Sequence, residues 1–185
     1  MGRYRGGALD RRPAVIVDMD GTLCDVTSVV HLQAEPDGFS AFHHGCVECP
    51  PHRAVVDWCV DHHSRGHRIL IITGRDAWTR EMTTSWLSTH LPVAVDRLYM
   101  RPAGDFRSNV DVKREIHGQL RLAYEIRGAI DDDPEIVGLW QEIGIPVAMV
   151  SDCGEVLGGS GAQSPAEHST RTYPLIRRST REPRP

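Results

Sequence analysis

Lysine is almost missing from this sequence: of 21 basic residues only Lys113 is a lysine, and the rest are arginine. A chain that uses guanidinium nearly everywhere keeps its one ammonium where a compact point charge does what a planar fork does poorly, such as facing a phosphate. Long apolar runs are missing as well. No stretch approaches the roughly 18 residues of a membrane span, and the basic start "MGRYRGGALDRRP" leads only into the short "AVIV", too brief for a signal peptide. These absences argue against a membrane helix and a secreted chain, and a cytoplasmic protein is expected. The five cysteines (24, 46, 49, 59, 153) are odd in number and lack a secretory context, which favours reduced thiols over a disulfide framework.

What is present is a body of one sign between ends of the other. Residues 1–12 carry four Arg against Asp10, residues 156–185 carry five Arg against Glu167 and Glu182, and the segment between holds 12 basic and 22 acidic residues. The ends read as a basic N-terminal arm (1–12) and a disordered basic tail (156–185), both solvated. So acidic a body fits a metal site better than a duplex-binding surface. At 185 residues the chain suits one domain with a real core, here 13–155. No obligate protein partner is evident.

Short apolar runs alternate with helix-period segments, the pattern of an α/β fold with a mainly parallel sheet. Strands are expected at "AVIVD" (14–18), "RILIIT" (68–73), "DRLYMR" (96–101), "RGAIDD" (127–132) and "PVAMVS" (146–151). Helices are expected over 51–65, over 76–90, from an Asn109 cap, and from Asp133 with Pro134 at its first position to a stop at Gly144. Trp78 and Trp86 are assigned to helix packing, with base stacking as the alternative.

The chemistry gathers where these strands end. "AVIVDMDGTL" runs four apolar residues into Asp18 and Asp20, and a buried carboxylate is tolerated only with cations, hydrogen bonds or a shifted pKa. "TGR" (73–75), Lys113 and "DDD" (131–133) fall at other strand ends or on adjacent helix starts, the region where open α/β sheets bind ligands. Singly, Asp-Gly-Thr is a turn, Thr-Gly-Arg a helix entry and Lys113 surface charge; their joint order is what points to a site.

The set D-x-D-G-T, T-G-R, a later Lys and a paired Asp after an apolar strand resembles the haloacid-dehalogenase-type phosphohydrolases over residues 13 to about 153. The resemblance implies a Rossmann-like three-layer fold, Mg²⁺ and a phospho-aspartate intermediate. By motif, Asp18 would be nucleophile and metal ligand, and Asp20 would bind metal through its carbonyl and act as general acid, then base. Thr73 would bind phosphoryl oxygens, and Lys113 would neutralise the phosphoryl group and the nucleophile. Asp131 and Asp132 would complete an oxygen-rich Mg²⁺ site, while Asp133 is explained as a helix cap. The physics agrees, because a phosphate monoester needs charge neutralisation and its alkoxide leaving group needs an acid.

"RILIITGRDAWTREMTTSWL", "VKREI" and "GAIDDDPEIVGLWQEIGIPV" further resemble the 3′-phosphatase domain of phage-type polynucleotide kinase/phosphatases. That resemblance implies removal of 3′-phosphates from DNA or RNA ends during repair, by a stand-alone phosphatase, since the kinase loop G-x-x-x-x-G-K-[ST] does not occur here. Free (deoxy)nucleotides or other small phosphate esters are the alternative substrates, and a non-catalytic nucleic-acid-binding module is the alternative of another class. Thr22, Gly74 and Arg75 are the expected substrate contacts, with Arg101 and Arg107 available to a phosphate backbone. The family pattern has an Arg eleven residues after the nucleophile and an Asp four before the Lys; this chain has Val29 and Asn109. Segments 24–50 and 77–108 are too short for a large cap, which leaves the mouth open to a polynucleotide end. In the loop "FHHGCVECPPH" (42–52), Cys46-x-x-Cys49 with His43, His44 and His52 has zinc-like spacing but lacks a second Cys or His pair at the usual distance, so a flap beside the active site, lined by aromatic and imidazole rings, is preferred.

Overall fold

The computed structural model describes residues 11–34 and 38–158. Six strands form one sheet: β1 (Arg12–Val17), β2 (Arg68–Asp76), β3 (Val95–Arg101), β4 (Tyr124–Asp131), β5 (Val147–Val150) and β6 (Val156–Leu157), in the order β3-β2-β1-β4-β5-β6. All pairings are parallel except β5 with β6. The α/β, mainly parallel architecture is therefore as expected from the sequence. Five α-helices connect the strands: α1 (Gly38–Gly45), α2 (Arg53–Ser64), α3 (Arg80–His90), α4 (Asn109–Leu120) and α5 (Pro134–Glu142).

Strand alternation divides the core into two layers. Val15 and Val17 of β1, with Ile69 and Ile71 of β2, pack against Val55, Val56 and Cys59 of α2 and Trp86 and Leu87 of α3. The intervening Ala14, Ile16, Leu70 and Ile72 pack against Val112, Ile116 and Leu120 of α4 and Ile136, Leu139 and Trp140 of α5. Period-2 side chains on a sheet covered on both faces make every position of β1 from Ala14 onward apolar and buried, which is why the strand reads as an unbroken apolar run.

The chain leaves β1 toward β2 on one side and returns as β4 on the other. The gap between the carboxyl ends of β1 and β4 is thus the point where strand order reverses, the position that collects ligands in doubly wound sheets. Val17 is in register with both Ile71 and Ile130, and the Asp18 N–H continues the ladder to the Ile130 carbonyl at 3.1 Å.

Several boundaries differ from the sequence reading. Arg12, assigned to the basic arm, opens β1, and its guanidinium reaches Tyr124 and Asp96. Val156 and Leu157, assigned to the tail, pair with β5; residues 1–10 and 159–185 lie outside the described residues. Ser108 rather than Asn109 caps α4, its hydroxyl accepting from the Asp111 N–H at 3.1 Å. The helix expected from residue 76 begins as a 3₁₀ turn, Ala77–Thr79, and becomes α3 only at Arg80. The segment after β1 folds into a 3₁₀ turn (Val30–Ala34), α1 and a second 3₁₀ turn (Cys46–Glu48), which dock Val26, Phe42, Cys46 and Cys49 onto the α2/α3 side of the core. This insert is small, in keeping with a minimal cap.

Candidate active site

Four segments converge at the carboxyl ends of β1, β2 and β4. Asp18 leaves the end of β1 and is 7% exposed; Asp131 is the last residue of β4 and 1% exposed. From α4, on the opposite layer, Lys113 reaches over the sheet and places its ammonium between them, donating to Asp18 Oδ1 and to Asp131 Oδ2, both at 2.7 Å. Lys113 is itself buried, 4% exposed, so three ionisable groups share a dry pocket.

Asp132 adds a third carboxylate. One oxygen from each of Asp18, Asp131 and Asp132 can be chosen so that all lie within 4.8 Å of one another. The Thr22 hydroxyl donates to Asp132 Oδ1 at 2.7 Å, and the Asp133 N–H donates to Asp131 Oδ1 at 3.3 Å. Gly21 makes this closeness feasible: its φ of +87° is left-handed, and a Cβ there would stand 2.3 Å from Asp132 Oδ2.

Electrostatics leave the pocket short of positive charge. Burial pushes the Asp18 carboxyl well above the usual carboxylate range; Lys113 pulls it back, and the Asp131 charge pushes it up again. Asp131 and Asp132 are raised for the same leading reason. Burial works against the Lys113 ammonium too, but Asp131 and Asp18 outweigh it and hold its pKa above the ordinary lysine value. Three carboxylates against one ammonium leave a deficit of two charges, all on hard oxygen donors. That deficit is what a divalent cation such as Mg²⁺ would balance, so the residues fit the ion that the sequence implies.

A second ion pair stands beside the first. Asp20 receives Nε and Nη2 of Arg75 at 2.8 and 2.5 Å, while Arg75 Nη1 donates to Thr83 Oγ1 of α3 at 3.2 Å. Arg75 is only 2% exposed, so its guanidinium, expected at the substrate, is committed to Asp20 in this conformation. Thr73, 1% exposed, accepts the Arg75 N–H on its hydroxyl oxygen at 3.1 Å, leaving its own proton to donate elsewhere. Gly74 is closely covered, since a Cβ there would meet Asn109 Oδ1 at 2.8 Å.

Arg101 and Arg107 stand farther out, in and after the last residue of β3. Arg101 donates to the carbonyls of Gly74, Asp105 and Arg107 and to the Asn109 side chain. Arg107 pairs with Asp105 and with Glu115 of α4. Both tie the 102–108 loop to the site's rim. At the two positions where the family pattern is charged, Asn109 serves Arg101, and Val29 packs on the core beneath the insert.

The Cys/His loop is structural. Cys46 and Cys49 are buried; Cys49 Sγ donates to the Gly45 carbonyl at 3.6 Å and Cys24 Sγ to the Cys46 carbonyl at 3.9 Å. His52 bonds the Thr22 carbonyl at 2.9 Å and His44 the Ser40 carbonyl at 2.8 Å. Among the described residues the one cluster with metal-ligand spacing is the Asp18, Asp131, Asp132 group, so zinc has no assembled site in this loop.

Sequence reasoning missed Thr83, whose hydroxyl fixes Arg75, and singled out His43 only as one of the flap imidazoles; it is buried and feels the Asp20 and Arg75 charges. Thr83 sits in a helix with nothing in its spacing to mark it.

Comparison with known proteins identifies the fold. A chain named bifunctional polynucleotide kinase/RNA ligase from Autographa californica nuclear polyhedrosis virus is 25% identical over 136 residues, covering 72% of this chain and 18% of the viral one. Among solved structures, the Pnkp1/Rnl/Hen1 RNA repair complex superposes with a TM-score of 0.65 at 23% identity, over 80% of this chain and 45% of that one. The class C acid phosphatase from Bacillus anthracis gives 0.53 at 19% identity, over 69% and 53%. The chain thus spans less than half of the viral relative and of the repair-complex chain. No helix among the described residues is long and apolar enough to cross a membrane. Residues 12–154 match the family described as the polynucleotide kinase PNKP phosphatase domain, and with that match the chain belongs to this family and to the haloacid-dehalogenase-like phosphohydrolases.

Proposed function

We propose that this phosphohydrolase removes 3′-phosphates from nucleic-acid ends through a phospho-aspartate on Asp18. The observation that carries the reading is the Asp18–Lys113–Asp131 arrangement, a buried carboxylate held against an ammonium at the point where the strand order reverses. The family match supports the polynucleotide substrate, and the small insert supports a mouth wide enough to admit a chain end.

An Asp18 oxygen attacks phosphorus as the bond to the 3′-oxygen breaks, and Asp20 delivers the proton that the leaving alkoxide needs. Asp20 then takes a proton from water, whose oxygen attacks the same phosphorus, releasing phosphate and restoring Asp18. Lys113 opposes the charge on nucleophile and phosphoryl group, and the Thr73 hydroxyl donates to a phosphoryl oxygen. Arg75 sets the direction of the Asp20 carboxylate. Mg²⁺ held by Asp18, Asp131, Asp132 and the Asp20 carbonyl would supply further charge neutralisation at the phosphoryl group.

Phosphate release is to be compared among 3′-phosphorylated oligonucleotides, 5′-phosphorylated oligonucleotides and mononucleotides. Preference for the first supports the assignment, and equal rates on all three reject it. Asp18→Asn should reduce turnover to background with the circular dichroism spectrum unchanged; a wild type that releases no phosphate, with nucleic-acid binding undiminished in Asp18→Asn, would instead indicate a binding module.

A further inference from the structure

Trp78 is the tryptophan that the fold leaves outside. Trp86 and Trp140 are buried, and the Trp86 Nε1–H donates to the Cys49 carbonyl at 2.8 Å, whereas the Trp78 side chain is 49% exposed. The reason is local. Residues 77–79 form a 3₁₀ turn before α3 begins, which takes Trp78 off the apolar stripe that Thr83, Trp86 and Leu87 present to the core.

Its position is nonetheless fixed. The Asp76 carboxylate accepts the Trp78 N–H at 3.2 Å, and the Thr79 hydroxyl donates to the Asp76 carbonyl at 2.8 Å. The indole contacts two imidazoles of α1: that of His44, with centroids 5.7 Å apart and planes inclined 37°, and that of His43, edge-on at 6.3 Å and 72°. His43 is the imidazole that feels the charges of Asp20 and Arg75. Trp78 therefore stands three residues beyond Arg75, half open to solvent, in the turn that directly follows the strand supplying Thr73.

We propose that Trp78 is a stacking residue for the nucleobase adjoining the 3′-phosphate, with His44 bracing the indole. This rests on the 3′-end reading and extends it, making the mouth one that accepts an unpaired terminal base. An indole presents a broad apolar face that any base can cover, so the contact gives affinity for a nucleic-acid end without selecting its sequence. It also supplies recognition that does not depend on arginine, apt in a site whose nearest guanidiniums, Arg75 and Arg101, are already engaged by the protein.

The test compares kcat/KM on a 3′-phosphorylated oligonucleotide with kcat/KM on glycerol 2-phosphate, which has no base. Trp78→Ala should lower the ratio about tenfold, mainly through KM for the oligonucleotide, and Trp78→Phe should retain most of it. An unchanged ratio in Trp78→Ala overturns the proposal. Binding is read separately in Asp18→Asn protein: adding the oligonucleotide should quench indole emission, and adding Trp78→Phe should abolish the quenching. Equal quenching in both proteins also overturns stacking. A wild-type enzyme that quenches but releases no phosphate from 3′ ends removes the 3′-end reading and leaves the stacking contact standing; a wild type that releases it, with the ratio unchanged in Trp78→Ala, does the reverse.

Discussion

The two ion networks around the mouth differ in what surrounds them. Lys113, Asp18 and Asp131 are buried together, while Arg107, half open to solvent, links the largely covered Asp105 of its own loop to the exposed Glu115 of α4. Both networks have contacts of 2.6–2.7 Å, so distance does not separate them. Burial does. Charges in a dry pocket are strongly coupled and strained for balance, whereas exposed pairs are screened and contribute little. The first network is where the proposed chemistry needs its charge, and the second holds a loop.

The sharpest way to break that contrast is Lys113→Met. Losing the sole ammonium leaves three carboxylates unbalanced, so turnover should fall about 100-fold or more, and thermal unfolding should show a loss of about 3 kcal/mol. Wild-type turnover in that variant would mean that the pocket's charges do not act on the reaction.

A smaller effect comes from pH. The Asp18 and Asp132 carboxyls are raised to about 7, above their unfolded values, so the fold takes up protons there that the unfolded chain has released. In metal-free protein their contribution to stability is fully present below the usual carboxylate range and is lost as pH rises through about 7. Protons and Mg²⁺ compete for the same oxygens. The melting-temperature increase given by Mg²⁺ should therefore be largest near pH 8 and should shrink as pH falls toward 5, measured by differential scanning calorimetry. His43 acts oppositely, because burial lowers its pKa to about 4 and its contribution is lost as pH falls from 6.5. Taking the difference with and without metal cancels that term. A pH-independent increase would mean that Mg²⁺ binds elsewhere.

The smallest effect belongs to the outer network. Arg107→Ala should leave the melting temperature indistinguishable from wild type in 0.15 M salt. A clear loss would show that the exposed pairs matter as much as the buried ones.

Much of the inner network is legible in the sequence because its constraints are local. An apolar run ending in Asp18, another ending in Asp131, and a solitary lysine in a helix stripe each show within a few residues where the side chain must go. The pairing of Arg75 with Asp20 is not legible. It depends on how α3 seats Thr83 over β2, a relation between segments that no spacing records. The insert was equally opaque, because "GFSAFHHGCVECPPH" lacks sustained periodicity and its helix is held by contacts of Phe42 and Cys46 with distant strands. Trp78 reads as a packing residue for a related reason: helical spacing continues across 76–90, and nothing in it marks the 3₁₀ turn that rotates the indole outward. Between Ser108 and Asn109 the capping preference is nearly a tie, which only the backbone resolves.

The burial of Lys113 has a practical corollary. A lysine-specific endoprotease has one peptide bond to cut in this entire chain, and the side chain it must grip projects from α4 and is buried between two aspartates. Cleavage after that residue therefore requires α4 to lift away. The rate of appearance of two fragments would time the opening of the Lys113 pocket itself, with no label attached.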